Sequence, residues 1–177
     1  MSTTAKPTDV SRDLSLLHPI IRASVVEIIN QLAAESTPCG LFEAYRSPAR
    51  QAYLYSQGRT RPGIIITKAQ PWESYHQYGL AVDIVPQPYG KWDWGASGNL
   101  EHYWNRLNDL GRQFGLETLA WERPHLQLAG MNIHELKRGS FPGGGDLGWY
   151  ANLEREALAW NKPPEGPGAT MLVKVDG

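Results

Sequence analysis

The apolar positions of this chain change period several times, and each change marks an element. After a polar opening stretch, Ile21, Val25, Ile28, Ile29 and Leu32 recur at steps of three and four, which predicts a helix from Pro19 with one apolar face. Thr37, Pro38, Cys39 and Gly40 end it, and residues 41–45 read as a short strand. Ser47 followed by Pro48 is a helix start, because serine caps free amides and proline fits the first turn. That helix extends to about Gln57, with Gly58 suited to the position past its end. The β-branched run at 64–67 predicts a strand, as does 79–85, which Pro86 closes. Residues 87–98, rich in Gly, Pro and Trp, predict a long loop. Asn99 is expected to cap a helix whose Leu100, Tyr103, Trp104, Leu107, Leu110 and Phe114 share a face, stopped by Gly115. Residues 119–121 and 125–128 read as two strands around a sharp turn at Pro124. A short helix at 133–138, a Pro/Gly hinge at 140–145 and a last helix capped by Asp146, with Trp149, Leu153, Ala157 and Trp160 inward, complete the pattern. Helices and antiparallel-type strands mix without regular alternation, which predicts an α+β fold with helices packed on a small central antiparallel sheet.

The length, 177 residues, suits one domain. The expected limits are a loose N-terminal arm at 1–17, the domain at 18–160 and a flexible tail at 161–177. The net charge is −1 and Lys and Arg are spread along the chain, so there is no electrostatic footprint for nucleic acid or an anionic membrane. No apolar run approaches the ~18 residues of a membrane span, and none has the form of a signal peptide. The expectation is therefore a protein made in the cytoplasm, without membrane insertion, that works as a monomer and reaches any external substrate by release or a dedicated export route. The single cysteine, Cys39, excludes an internal disulfide and a C-x-x-C metal site, and reads as a small half-buried residue at a strand start.

Candidate chemistry centres on Ser74-x-His76-x6-Asp83. Asp83 lies inside a strand between Val82 and Ile84, and alternation puts it on the face of Ala81 and Val85, which reads as the core face. A buried carboxylate needs a positive partner. An arginine or a metal ion would serve, and the pattern leaves both open. About forty residues later, Glu122 and His125 flank Pro124 and offer a second carboxylate beside a histidine. Two His and one Asp make a catalytic zinc set with a fourth position open, and Glu122 is near enough to act as general base without being a ligand. His18 reads as a surface or capping residue and His102 as solvated. His134 is the rival ligand, expected on the surface. Arg46, at a strand end, could steady a developing oxyanion or make a surface ion pair.

These residues resemble the LAS-type zinc peptidases, which include D-Ala-D-Ala carboxypeptidases and dipeptidases and the L-alanyl-D-glutamate endopeptidases of phage endolysins, the endopeptidase branch looking nearest. Further strings carry the resemblance: Tyr45-Arg46-Ser47 with Gln51; Leu54-Tyr55-x-Gln57-Gly58-Arg59-Thr60-x-Pro62-Gly63; Thr67-Lys68-Ala69; Ala81-Val82-Asp83; and Pro124-His125. It implies a hedgehog-like or D-Ala-D-Ala-peptidase-like fold and one zinc ion on His76, Asp83 and His125. It also implies Glu122 as catalytic base, Arg46 as stabiliser of the tetrahedral intermediate, Gln51 and Ser74 at the substrate, and peptidoglycan stem peptides as that substrate. Endopeptidases of this branch often carry Asp where this chain has Glu122, whereas the dipeptidase branch carries Glu, and the Trp-Gly-Gly-type run before the base is replaced by Leu116-Glu117-Thr118-Leu119-Ala120. The alternatives are a D-Ala-D-Ala carboxypeptidase or dipeptidase, with Arg59 or Arg61 meeting a free carboxylate, and a zinc-stabilised binding module or phage structural protein without catalysis.

Overall fold

In the computed structural model, which describes residues 6–95 and 98–168, four strands form one antiparallel sheet. They are Cys39–Glu43 (β1), Ala81–Pro86 (β2), Leu116–Leu119 (β3) and Glu122–Leu128 (β4), in the order β1-β2-β4-β3. Five α-helices surround it: Pro19–Ala34 (α1), Pro48–Ser56 (α2), Glu101–Gln113 (α3), Ile133–Lys137 (α4) and Leu147–Ala159 (α5). The α+β expectation holds.

Register assigns the two faces of the sheet. Asp83 pairs with Glu43 on one side and His125 on the other, while Ala81 pairs with Gln127. Cross-strand partners share a face, so Glu43, Asp83, His125 and Gln127 stand together. Val82, Ile84 and Leu126 point the other way, into a core built with Ile21, Val25, Ile28 and Leu32 of α1 and Trp104, Leu107 and Leu110 of α3. Gly111 lets α3 lie close on β4, since a Cβ there would come within 2.8 Å of Leu126 Cδ2. Fully burying an aliphatic side chain contributes about 1.5–3 kcal/mol. The core face thus carries the fold and leaves the opposite face for polar groups. Asp83 is buried as expected, on the face of Ala81 and Val85, and that face also carries the buried polar groups.

A second cluster, with Trp72, Tyr78, Leu80, Leu136, Trp149 and Leu153, fastens α4 and α5 to the 3-10 turn Tyr75–Tyr78, which carries His76. Trp149 Nε1 donates to Tyr78 O at 2.7 Å. The turn ends at Gly79 in the left-handed region, φ 64°, where a Cβ would lie 2.6 Å from Leu16 O.

Several boundaries differ from the sequence reading. Residues 64–67 form no strand, and Ile64 is 78% exposed. Their β-branched composition fits a pleated, half-buried surface only where a neighbour exists. The free side of β1 is occupied instead by the N-terminal segment, through Ala44 N to Ser11 O at 2.7 Å and Arg12 Nε to Leu41 O at 3.1 Å. That segment was expected to be loose, but Leu17 is fully buried and Arg50 donates to Thr8 O at 3.1 Å. Residues 161–168 of the expected tail fold back, with Trp160 Nε1 donating to Pro164 O at 2.9 Å. Residues 1–5 and 169–177 of the expected arm and tail lie outside the described residues. The helix α3 begins after a 3-10 turn, Gly98–Leu100, with Leu100 rather than Asn99 at its cap. Pro124 is not the turn. It lies within β4, where Glu122 pairs with Leu119 while Leu126 pairs with Thr118, so the intervening residues leave the ladder with β3 and a missing N–H costs no bond to that strand.

Candidate metal centre

Ligand atoms of His76, Asp83 and His125 all lie within 4.8 Å of one another, and all three residues are buried. Three elements deliver them: the turn Tyr75–Tyr78, β2 and β4. Ser74 starts the turn with a capping box, its hydroxyl accepting from His76 N at 3.4 Å while Gln77 Oε1 accepts from Ser74 N at 3.1 Å.

Hydrogen bonds set the two rings. His76 Nδ1 sits 2.8 Å from Ala44 O, an acceptor only, so that nitrogen carries the proton and Nε2 turns a lone pair inward. His125 Nε2 lies 3.0 Å from Gln127 Oε1 and donates to it, leaving Nδ1 bare. His125 Nδ1 is buried without a hydrogen-bond partner. It faces Asp83 Oδ1 at 3.4 Å, and His76 Nε2 faces the same oxygen at 3.3 Å. Three acceptors converging in a buried space repel unless something positive lies between them. A divalent ion with affinity for imidazole and carboxylate fits this donor set.

Burial opposes charge on Asp83, but its neighbours His76, His125 and Arg46 together hold its carboxyl well below the usual range. Burial works against charge on His125 as well, and the Asp83 carboxylate beside it overrides this and raises its pKa.

Behind the three residues stands a buried ion network. Arg46 Nη2 donates to Asp83 Oδ2 at 3.0 Å and to Glu43 Oε2 at 2.7 Å. Its Nε donates to Glu43 Oε2 at 3.1 Å and its Nη1 to Gln51 Oε1 at 3.2 Å. Arg50 donates to the other Glu43 oxygen. Arg46 is therefore not the surface residue that sequence allowed as one reading. Gln51 is fully buried, and its Nε2 donates to Ala69 O at 2.7 Å. It holds the 67–69 segment in place rather than lining an open surface. Glu122 is exposed, and its charge is felt by both His125 and Arg46. The three-residue slip in the β3–β4 ladder returns it to the face of His125.

A groove of about 680 Å³ opens beside Glu122, walled by Trp121 and by residues 65–69. Arg59 and Arg61 are stacked on Tyr55 and Tyr53, at 3.8 and 4.5 Å. Neither lines this groove. His102 and His134 are exposed, and His18 caps α1 with its Nδ1 while its ring is buried against Trp149.

Sequence reasoning missed Glu43, Arg50 and Gln127. Only Gln127 carried a signal, lying two residues beyond His125 and so on its strand face. Gln127→Ala should free the His125 ring and weaken metal binding about 10- to 100-fold in a competition titration against a chelator.

Comparison with known proteins adds four findings. A family model described as D-alanyl-D-alanine carboxypeptidase, VanY, matches residues 14–129. Over 122 residues the chain is 34% identical to the peptidoglycan L-alanyl-D-glutamate endopeptidase CwlK of Bacillus subtilis (strain 168), covering 63% of this chain and 73% of that protein. Among solved structures it is similar to the LD-carboxypeptidase LdcB, with TM-score 0.51 and 24% identity over 73% of this chain and 78% of the other. It is also similar to the L,D-carboxypeptidase DacB from Streptococcus pneumoniae, with TM-score 0.50 and 22% identity over 73% and 79%. These two structural likenesses bear on the fold.

Proposed function

The chain belongs to the VanY family of D-alanyl-D-alanine carboxypeptidases, and from that membership we propose that it is a zinc-dependent hydrolase of peptidoglycan stem peptides, cutting between L-alanine and D-glutamate. The observation that carries the reading is the convergence of three buried acceptors, one of them the partnerless His125 Nδ1, beside a groove edged by Glu122. The 34% identity to an L-alanyl-D-glutamate endopeptidase supports the choice of bond.

In this reading His76 Nε2, Asp83 Oδ1 and His125 Nδ1 hold one zinc ion. The bound ion supplies Lewis-acid chemistry, polarising a peptide carbonyl and making water acidic near neutral pH. Glu122 takes a proton from the attacking water on its carboxylate and returns it to the departing amine. Four of Arg46's five N–H groups are committed to Glu43, Gln51 and Asp83, which leaves one for a developing oxyanion. Its larger task is to fix Asp83 Oδ2, so that Oδ1 stays aimed inward. Ser74 and Gln51 act by holding the His76 turn and the groove wall. One domain, 18–160, carries this work as a monomer that meets the wall after release or specialised export.

The test is metal content and cleavage of defined muropeptides, with and without chelator, on one purified sample. One zinc per chain and new N-terminal D-glutamate, both lost on chelation, are expected. Release of terminal D-alanine would favour the carboxypeptidase reading, for which the family description speaks. Stoichiometric zinc without cleavage would leave a binding module.

A further inference from the structure

The groove beside Glu122 has an apolar wall, with Trp121 82% exposed on the β3–β4 turn and Ile65 and Ile66 facing solvent. Its one cationic lining residue is Lys68. Among the described residues, Lys68 has no carboxylate within 4.0 Å of its ammonium, and neither has Glu122 a cation. An uncommitted lysine in a loop is ordinarily a solvated surface charge. Here the backbone on both sides of it is fastened. Thr67 O accepts from Arg59 Nη2 at 3.1 Å, and Thr67 Oγ1 accepts from Ala69 N at 3.2 Å. Ala69 O accepts from the buried Gln51 amide, whose oxygen accepts from Arg46. An unbroken polar chain thus runs from the Asp83 carboxylate through Arg46 and Gln51 to the residue next to Lys68. The backbone that carries Lys68 is thus held relative to the candidate ligands, while its exposed ammonium makes no ion pair among the described residues.

Both candidate substrates present one chemistry on the leaving-amine side of the cut bond. In an L-alanyl-D-glutamate link the glutamate has two carboxyl groups and chain continuation uses one. In a D-alanyl-D-alanine end the last residue carries a free carboxylate. Resting on the peptidase reading above, we propose that Lys68 is the specificity residue that binds this carboxylate, seating the leaving-side residue in the groove with its scissile amide toward Glu122. Apolar walls lower the local dielectric and strengthen such a pair relative to one in open water.

The experiment uses the full zinc-loaded chain and synthetic peptides matched in sequence, with the leaving-side residue either a free carboxylate or its carboxamide. One pair carries an L-Ala-D-Glu link and the other a D-Ala-D-Ala end, so the pair that is cut identifies the source of the carboxylate. The natural chain should prefer the carboxylate about tenfold or more in kcat/KM, the size expected of a hydrogen bond to a charged group. Lys68→Met should bring that ratio to about one, and Lys68→Glu should invert it. Calorimetric binding of the D-Glu-initiated product peptide, free or amidated, should show the same loss of discrimination without turnover. A ratio unchanged in Lys68→Met overturns the assignment while leaving the peptidase intact. No cleavage of any peptide, with product binding indifferent to amidation, overturns both.

Discussion

Glu122→Ala is expected to retain its metal and to cleave purified cell wall about 10²- to 10⁴-fold more slowly than the natural chain, the usual contribution of a positioned general base. The side chain is exposed and makes no ion pair among the described residues, so its removal leaves the fold without a buried vacancy. It stands on the His125 face, where its charge reaches His125 and Arg46 but its carboxylate is not one of the converging three. Zinc content by atomic absorption and turnover on one preparation separate the two roles. Glu122→Asp should keep part of the rate, since it preserves the carboxylate and only shortens its reach. Normal wall cleavage by Glu122→Ala would remove the residue from the mechanism.

Asp83→Asn should weaken metal binding by more than the 10- to 100-fold typical of an outer partner, because it removes the one carboxylate of the proposed ligand set. It also strands charge. Arg46, 7% exposed, would keep Glu43 but lose the carboxylate at 3.0 Å. Breaking a buried pair costs about 3–5 kcal/mol, and the amide oxygen that remains should hold the loss near the lower end. Chelator-treated samples compared by urea unfolding would measure it. The pH dependence has a definite sign. The depressed pKa of Asp83 contributes stability that is present above its unfolded-state value and lost as pH falls through its folded one. The substitution should therefore flatten the acid limb of the stability curve. His125 runs oppositely, its raised pKa adding stability that fades as pH rises through the folded value. Protons and metal compete for that ring, so metal affinity in the natural chain should climb with pH over the same range.

The three converging residues were legible in the sequence because two of them obey strand geometry and are cross-strand partners, Asp83 with His125. The open question about Asp83, arginine or metal, was open for a physical reason: the carboxylate has two oxygens, and here one meets Arg46 and the other the histidines. The caps of α2 and α5 were legible too, with Ser47 and Asp146 accepting from Arg50 N and Trp149 N. The strand expected at 64–67 failed because propensity says nothing about whether a partner edge is free. The β3–β4 turn was misplaced because a ladder slip, which no periodicity encodes, absorbs Pro124 inside a strand. Glu43 was invisible for a similar reason. Its role depends on the cross-strand pairing with Asp83 and on two arginines that α2 and its approach bring alongside.

That network has a further consequence for the kind of ion the centre rewards. Two carboxylates, Glu43 and Asp83, stand against two guanidinium groups, Arg46 and Arg50, so the buried cluster is electrically balanced before any metal arrives. A divalent cation held between two neutral imidazoles and Asp83 would therefore meet a single carboxylate whose charge Arg46 already shares, and would keep a net positive charge. Such an ion is a stronger electrophile than one quenched by several acidic ligands, and it repels a second cation from the same cavity. Its field also extends outward, drawing in peptides rich in carboxylates and weakening as salt is added.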